Sequence, residues 1–419
     1  MKTLFALLLL IPSLSWGLTF KDGKQVDDNI SYENKNDLPD QSDFSIFLLI
    51  SDEILNQVST LSVKDKKSSC GFDIGRPSWR QIDKNLPDKI EGYNSRMDNE
   101  PKVYGSYARQ TFYDFSIAAT YIFLTQDEKL KERLFDKLYQ WADAKALLKT
   151  KKCYNRSLDG KKIVRECEGE WSDPNGQDLA PIKDATVSLE IAIGLNYVYD
   201  LLFEDYLVDD PRHQTIHKYF QQWHKRVPYT DKFFWGLQMN WAVPNMLIAK
   251  QSGKNYNDMI DKLAKSSNKW INSDGSFKDR TTRGNRALWY HHTAMAEALM
   301  VMELSKAADI GLPDNYEKKY LKAADLFYQA YLDPSYIVPW AKKAHNSQFD
   351  PEMPNFQNFP NDLNQVSFEG WWMWVFQYRY PDHPLSKLFK EKLSPYASSV
   401  KADKSYGFGI GCIYKTLLR

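Results

Sequence analysis

The chain has 419 residues and a formal net charge of +1 at pH 7, from 55 basic and 54 acidic side chains. That balance excludes a global pull toward nucleic acid, and no segment is apolar for long enough to suggest a membrane span. Tyr, Trp and Phe supply 14% of the residues, which suits either a large core, the commoner use, or a groove that stacks sugar rings.

The first stretch, MKTLFALLLLIPSLSWG, has the form of a secretory signal. Lys2 gives the charge, Leu4 to Ile11 the apolar run, and Ser15 and Gly17 the small residues before a cut expected after Gly17. A periplasmic or secreted protein is the expectation, with residues 18–419 as a single domain, since no Pro- or Ser-rich linker divides them. An oxidising compartment makes disulfides plausible among Cys70, Cys153, Cys167 and Cys412. Cys153 and Cys167 bracket a short polar loop and form the first pair to expect; Cys70 with Cys412 is the remainder.

Apolar residues at three- and four-residue spacing predict helices over Tyr107–Leu124, Gln126–Leu148, Ile182–Leu202, Pro211–Val227, Asn240–Ser252, Tyr256–Asn272, Arg286–Ile310 and Asn315–Leu332. Asp210-Pro211 and Asp314-Asn315 read as helix starts, and Gly311 as a helix end. Strand-like alternation is scarce. Helices in pairs with short polar loops predict an all-α fold, an (α/α) toroid of helical hairpins with a cleft at the ends of its inner helices. Two long loops stand out as functional or ordinary connections: Cys153 to Pro181, and Trp340 to Asn364 with His345, Gln348 and Asp350.

The run RGNRALWYHHTAM, Arg283 to Met295, carries the chemistry-bearing residues. As a helix it places Arg286, Tyr290, Thr293 and Glu297 on one face, while His291 and His292 point in other directions, so at most one histidine joins that face. Arg, Tyr and His together suit β-elimination from a uronic acid polymer. That reaction needs a cation for the substrate carboxylate, a base for the C5 proton and an acid for the leaving oxygen. A second cluster, Arg76, Trp79, Arg80, Tyr104, Tyr107 and Arg109, offers a possible opposite wall. His213 and His217 have the i,i+4 spacing of a metal pair but lack an H-E-x-x-H frame, so neither a metal nor another cofactor is expected. Asp52, Glu53, Asp173, Asp178 and Asp350 are the acids a glycoside hydrolase would draw on.

These residues resemble the alginate lyase family of helical-toroid polysaccharide lyases. The match rests on LFDKLYQWADAKALL at Leu134–Leu148, on FFWGLQMNWAVPNML at Phe233–Leu247, and on the stretch from Ser267 through RGNRALWYHH to Leu312. The resemblance implies a polysaccharide lyase in which Arg286 holds the substrate carboxylate and Tyr290 and His291 match the first Tyr and the His of a Y-H-N-Y motif. The second Tyr of that motif, the family's usual base and acid, corresponds to Thr293. Trp241 matches a family Trp, which puts Leu237 and Gln238 where Asn and His are expected, with Asn240 as a substitute for the Asn. The expected catalytic set is Tyr290, His291, His292 and Arg286; the expected substrate contacts are Asn240, Gln238, Trp241, Arg283 and Arg109. The expected partner is an acidic polysaccharide met by a monomer, with no nucleic acid. A non-catalytic binder of such a polymer and a glycoside hydrolase on the same fold are the alternatives.

Overall fold

The computed structural model describes residues 20–21, 24–25, 50–73, 76–90, 103–150, 153–158, 162–167, 170–172, 180–224, 239–343, 353–403 and 409–418, some by backbone alone. The expected signal sequence lies outside these residues.

Helices dominate. In chain order they are α1 (Asp52–Ser59), α2 (Val63–Ser69), α3 (Val103–Thr125), α4 (Glu128–Asp143), α5 (Ala180–Leu202), α6 (Arg212–His224), α7 (Met239–Gln251) and α8 (Asn257–Trp270). They continue as α9 (Ala287–Ala307), α10 (Tyr316–Leu332), α11 (Val338–Ala341), α12 (Trp372–Arg379), α13 (Pro384–Lys392), α14 (Ser398–Lys401) and α15 (Ile410–Thr416). Consecutive helices pack as hairpins, α3 with α4, α5 with α6 and α9 with α10. Inner helices pack as α3 on α5 and α5 on α7, and as α9 on α12 and α12 on α15, with α8 linking α7 to α9; outside them α4 pairs with α6 and α10 with α13. This is the all-α (α/α) toroid that the spacing predicts.

Sequence decides which layer a helix joins. In α9 the side chains from His291 through Ser305 are buried without interruption, so water meets no face of it. A helix apolar on every side belongs inside, and one with a single apolar stripe belongs at the rim. α4 and α8 are of the second kind, burying Leu134, Phe135, Leu138 and Trp141 in one and Ile260, Leu263 and Ala264 in the other. Inner helices also need close approach. A Cβ at Gly194 of α5 would lie 2.1 Å from the Phe112 ring of α3, so glycine there lets the ring seat against the α5 backbone.

Two local expectations are modified and a third holds. The loop from Cys153 contains a three-stranded antiparallel sheet, β1 (Cys153–Leu158), β2 (Lys162–Cys167) and β3 (Glu170–Ser172), whose register sets Cys153 opposite Cys167. α9 stops at Ala307, before Gly311; Asp309 takes the left-handed conformation (φ 53°), and the Ile310 amide closes on the Ser305 carbonyl at 2.8 Å. Asp210 does start a helix, its carboxylate accepting the Arg212 amide at 2.9 Å. The end of α2 is joined to α15 by a buried Cys70–Cys412 disulfide, with Cα atoms 5.2 Å apart.

Candidate functional site

α9 is entered through a single 3-10 turn, Gly284–Arg286, which leaves the first helical amides in need of acceptors. Gln357 supplies one, its Oε1 accepting from the Leu288 amide at 2.9 Å while its Nε2 donates to the Gly284 and Pro354 carbonyls at 3.0 and 2.9 Å. The Asn358 amide donates to the Asn285 carbonyl at 2.7 Å. Part of the second long loop therefore braces the start of α9; its His345, Gln348 and Asp350 lie outside the described residues.

Three guanidinium groups gather on one ring at this end. The central carbons of Arg283, Arg280 and Arg286 lie 4.3, 5.1 and 5.3 Å from the Tyr290 ring centre. The spacing of three residues between successive arginines brings them back to one side as the chain turns into the helix. Each contact has cation–π character, but packing three like charges together is costly unless anions answer them.

Anions are present deeper in. Glu297, two turns beyond Tyr290 on α9, is buried, as are Glu369 and Asp403. Burial, then the nearby Glu297 and Asp403 carboxylates, push the Glu369 carboxyl well above its usual range, with Arg280 opposing them. The Glu369 Oε2 meets no hydrogen-bond partner among the described residues, and its backbone is left-handed (φ 54°), a conformation that strains a residue with a Cβ. Asp403 accepts from the Gly370 amide at 3.0 Å. Arg109 of α3 pairs with Glu190 of α5, and its guanidinium lies 5.5 Å from the ring centre of Phe368, the residue before Glu369. The site is thus a partly exposed cationic rim of Arg280, Arg283, Arg286 and Tyr290 above a buried acidic floor.

The structure brings Arg283, Arg286 and Tyr290 together and sets Arg109 beside the floor. His291 and His292 have another place. Both are 0% exposed and use both ring nitrogens. His291 Nε2 donates to the Ala323 carbonyl at 2.9 Å and its Nδ1 accepts the Thr281 hydroxyl at 2.9 Å. His292 Nε2 donates to the Phe368 carbonyl at 3.0 Å and its Nδ1 accepts the Trp372 indole N–H at 2.9 Å. Burial pushes both down to about 4, so they are neutral fasteners of α9 and not the flanking acid or base expected of them. The Thr293 hydroxyl donates to the Tyr290 carbonyl at 3.0 Å, turned back on its own helix. Gln238 lies outside the described residues, as do the side chains of Asn240 and Trp241 on α7.

Other sequence candidates resolve differently. His213 and His217 are bridged by the Tyr199 hydroxyl at 2.6 and 2.9 Å, and His213 Nε2 donates to the Tyr206 carbonyl at 2.7 Å. They serve packing, and no metal-holding group of His, Cys, Asp or Glu occurs among the described residues. Trp79 stacks under Arg133 at 4.2 Å beside Asp83, so it is tied to α4. Asp52 and Glu53 are exposed on α1, while Asp173 and Asp178 lie outside the described residues. Sequence reading missed Arg280 and Glu369 as site residues. The repeat Arg280, Arg283, Arg286 was a usable signal for the first; nothing local marked the second.

No family model matches the sequence, and no curated protein does. Solved structures do. Alginate lyase A1-III from Sphingomonas species A1 is similar at a TM-score of 0.54 with 12% identity, over 85% of this chain and 95% of that one. A histidine-to-alanine variant of alginate lyase A1-III complexed with tetrasaccharide is similar at 0.54 with 15% identity, over 84% of this chain and 92% of that one. A tyrosine-to-phenylalanine variant complexed with tetrasaccharide reaches 0.57 with 14% identity, over 84% and 93%. At these identities the likeness establishes the fold: this chain has the α/α toroid of alginate lyase.

Proposed function

We propose that the chain is a polysaccharide lyase that cleaves a uronate-containing polymer by β-elimination. The observation that carries the reading is the convergence of Arg280, Arg283 and Arg286 on Tyr290 at the entry to an inner helix. The guanidinium groups hold the substrate carboxylate and stabilise the negative charge that develops on it as the C5 proton leaves. Tyr290 is the proton-transfer group: its oxygen takes the C5 proton and returns it to the glycosidic oxygen. The C5–H and C4–O bonds break and a C4–C5 double bond forms, so no water or oxidant is consumed. Asn240, in the first turn of α7, is the proposed second carboxylate partner. His291 and His292 keep α9 in register and take no proton in the cycle. Export to an oxidising compartment is part of the proposal, supported by the buried Cys70–Cys412 bridge.

The test is the ultraviolet absorbance of the unsaturated product end, followed on alginate, polyglucuronate and other acidic glycans. Product is expected from at least one, with kcat lowered about 100-fold or more in Tyr290→Phe. No product from any of them removes the reading. A second reading, a non-catalytic binder of acidic polysaccharide, is favoured by Thr293, whose hydroxyl is spent on the helix backbone where the resemblance places a working tyrosine. Saturable binding without product supports it.

A further inference from the structure

Next to the arginine rim lies a second polar concavity that the proposed chemistry does not use. It is an open groove of about 450 Å³, within the size range of small-molecule sites, lined among others by Asp274, Lys278, Asp279, Thr282, Trp340 and Lys343. Its parts are built. The Trp340 indole N–H donates to Asp274 Oδ2 at 3.1 Å, which fixes the ring plane. Asp274 Oδ1 in turn accepts the Ser276 amide at 2.9 Å and hydroxyl at 2.7 Å, so the carboxylate is held as well. The half-exposed Tyr336 ring sits 6.2 Å from that of Trp340, extending the aromatic surface. Gly275, in the left-handed region (φ 86°), lets this turn lie against α10, where a Cβ would come 2.4 Å from the Lys322 backbone.

The groove and the rim are built from one stretch of chain. Asp279 and Thr282 line the groove, whereas their neighbours Arg280 and Arg283 face Tyr290. α11, which carries Trp340, packs against the Gly284–Arg286 turn that carries Arg286. A fixed indole face, carboxylates that accept sugar hydroxyls, and ammonium groups at Lys278 and Lys343 for carboxylates match one kind of ligand. We infer that this groove is a distal subsite, binding acidic sugar residues of the same polymer several units away from the bond that is cut. The inference rests on the proposed acidic-polysaccharide reading and adds a second place of contact to it.

The experiment uses the full chain with Tyr290→Phe to stop turnover, labelled with ¹⁵N at the tryptophan indoles. Its probes are an oligomannuronate series from disaccharide upward and a neutral cello-oligosaccharide of matching length. Trp340→Phe assigns the indole signal. Long oligomannuronate is expected to shift the Trp340 signal, the neutral oligomer is not, and affinity is expected to rise with length. Trp340→Ala is expected to remove that gain, a loss of about tenfold for the longest oligomer, as one aromatic anchor supplies. Trp340→Phe, which keeps a ring but loses the bond to Asp274, is expected to keep most of it. An unmoved Trp340 signal at saturating long oligomer, or an undiminished gain in Trp340→Ala, overturns the subsite. If the native chain forms product while the signal stays still, only the subsite falls. If the signal moves while no polymer yields product, only the lyase reading falls.

Discussion

Each histidine of the His291–His292 pair is sealed in the neutral form, and this has a thermodynamic signature. Folding lowers their proton affinity to about 4 from an unfolded value near 6.5. Below about 6.5 the unfolded chain binds protons that the folded one refuses. The stability is therefore complete above that pH and drains away between about 6.5 and 4, by on the order of 3 kcal/mol per histidine. Urea midpoints across that window check it: His292→Gln is expected to be less stable at neutral pH and to show a shallower fall, and an unchanged slope would refute the assignment. Glu369 has the opposite sign. Its raised value means that stability is greatest at low pH and is lost as pH rises above about 4.5. Glu369→Gln is expected to raise Tm at pH 8 more than at pH 5, read by thermal melts at the two values. Little of this was legible in the sequence. The Arg286–Tyr290 pairing follows from helical spacing, but the histidines' partners lie 32 residues away at Ala323 and 80 away at Trp372. A sequence shows that a ring nitrogen exists and not what it already holds.

At the scale of elements, the inner layer is pinned by a buried ion pair. Arg379 of α12 donates from Nε and Nη2 to both oxygens of Glu303 on α9, at 2.9 and 2.6 Å, and the Tyr414 hydroxyl of α15 donates to the same carboxylate. Removing one partner leaves the other charge stranded, so Arg379→Met is expected to cost about 3–5 kcal/mol by chemical denaturation. The double change with Glu303→Met is expected to recover most of that loss; equal losses in single and double variants would show that the pair is not the cause. The helices that spacing located, from α3 to α10, are long and carry either one apolar stripe or an unbroken apolar run. α12 was not located, because Trp372–Phe376 is a short apolar run that serves a strand or a helix equally well. The sheet at Cys153–Ser172 escaped for a related reason: its strands, such as CYNRSL, are polar and show no two-residue alternation.

At the scale of the molecule, the toroid brings distant segments to one mouth: the turn before α9, the loop before α12 and the arm holding Trp340. Fold class was readable because a run of helical hairpins with few strands leaves few other arrangements. The position of Glu369 near Arg280 was not, since 89 residues separate them and only the packing of α12 against α9 brings their segments near. Closure is also covalent. Cys70 and Cys412 are separated by 342 residues, and their bond restricts the unfolded chain, so reduction is expected to cost about 2–4 kcal/mol, seen as a lower Tm with reductant. That bond has a further effect on chain integrity. A protease that nicks any surface connection between the two cysteines opens a lasso without releasing a piece, and the fragments part on a gel only after a thiol is added. A single cut in such a connection is then a wound after which the two pieces of the toroid stay covalently joined.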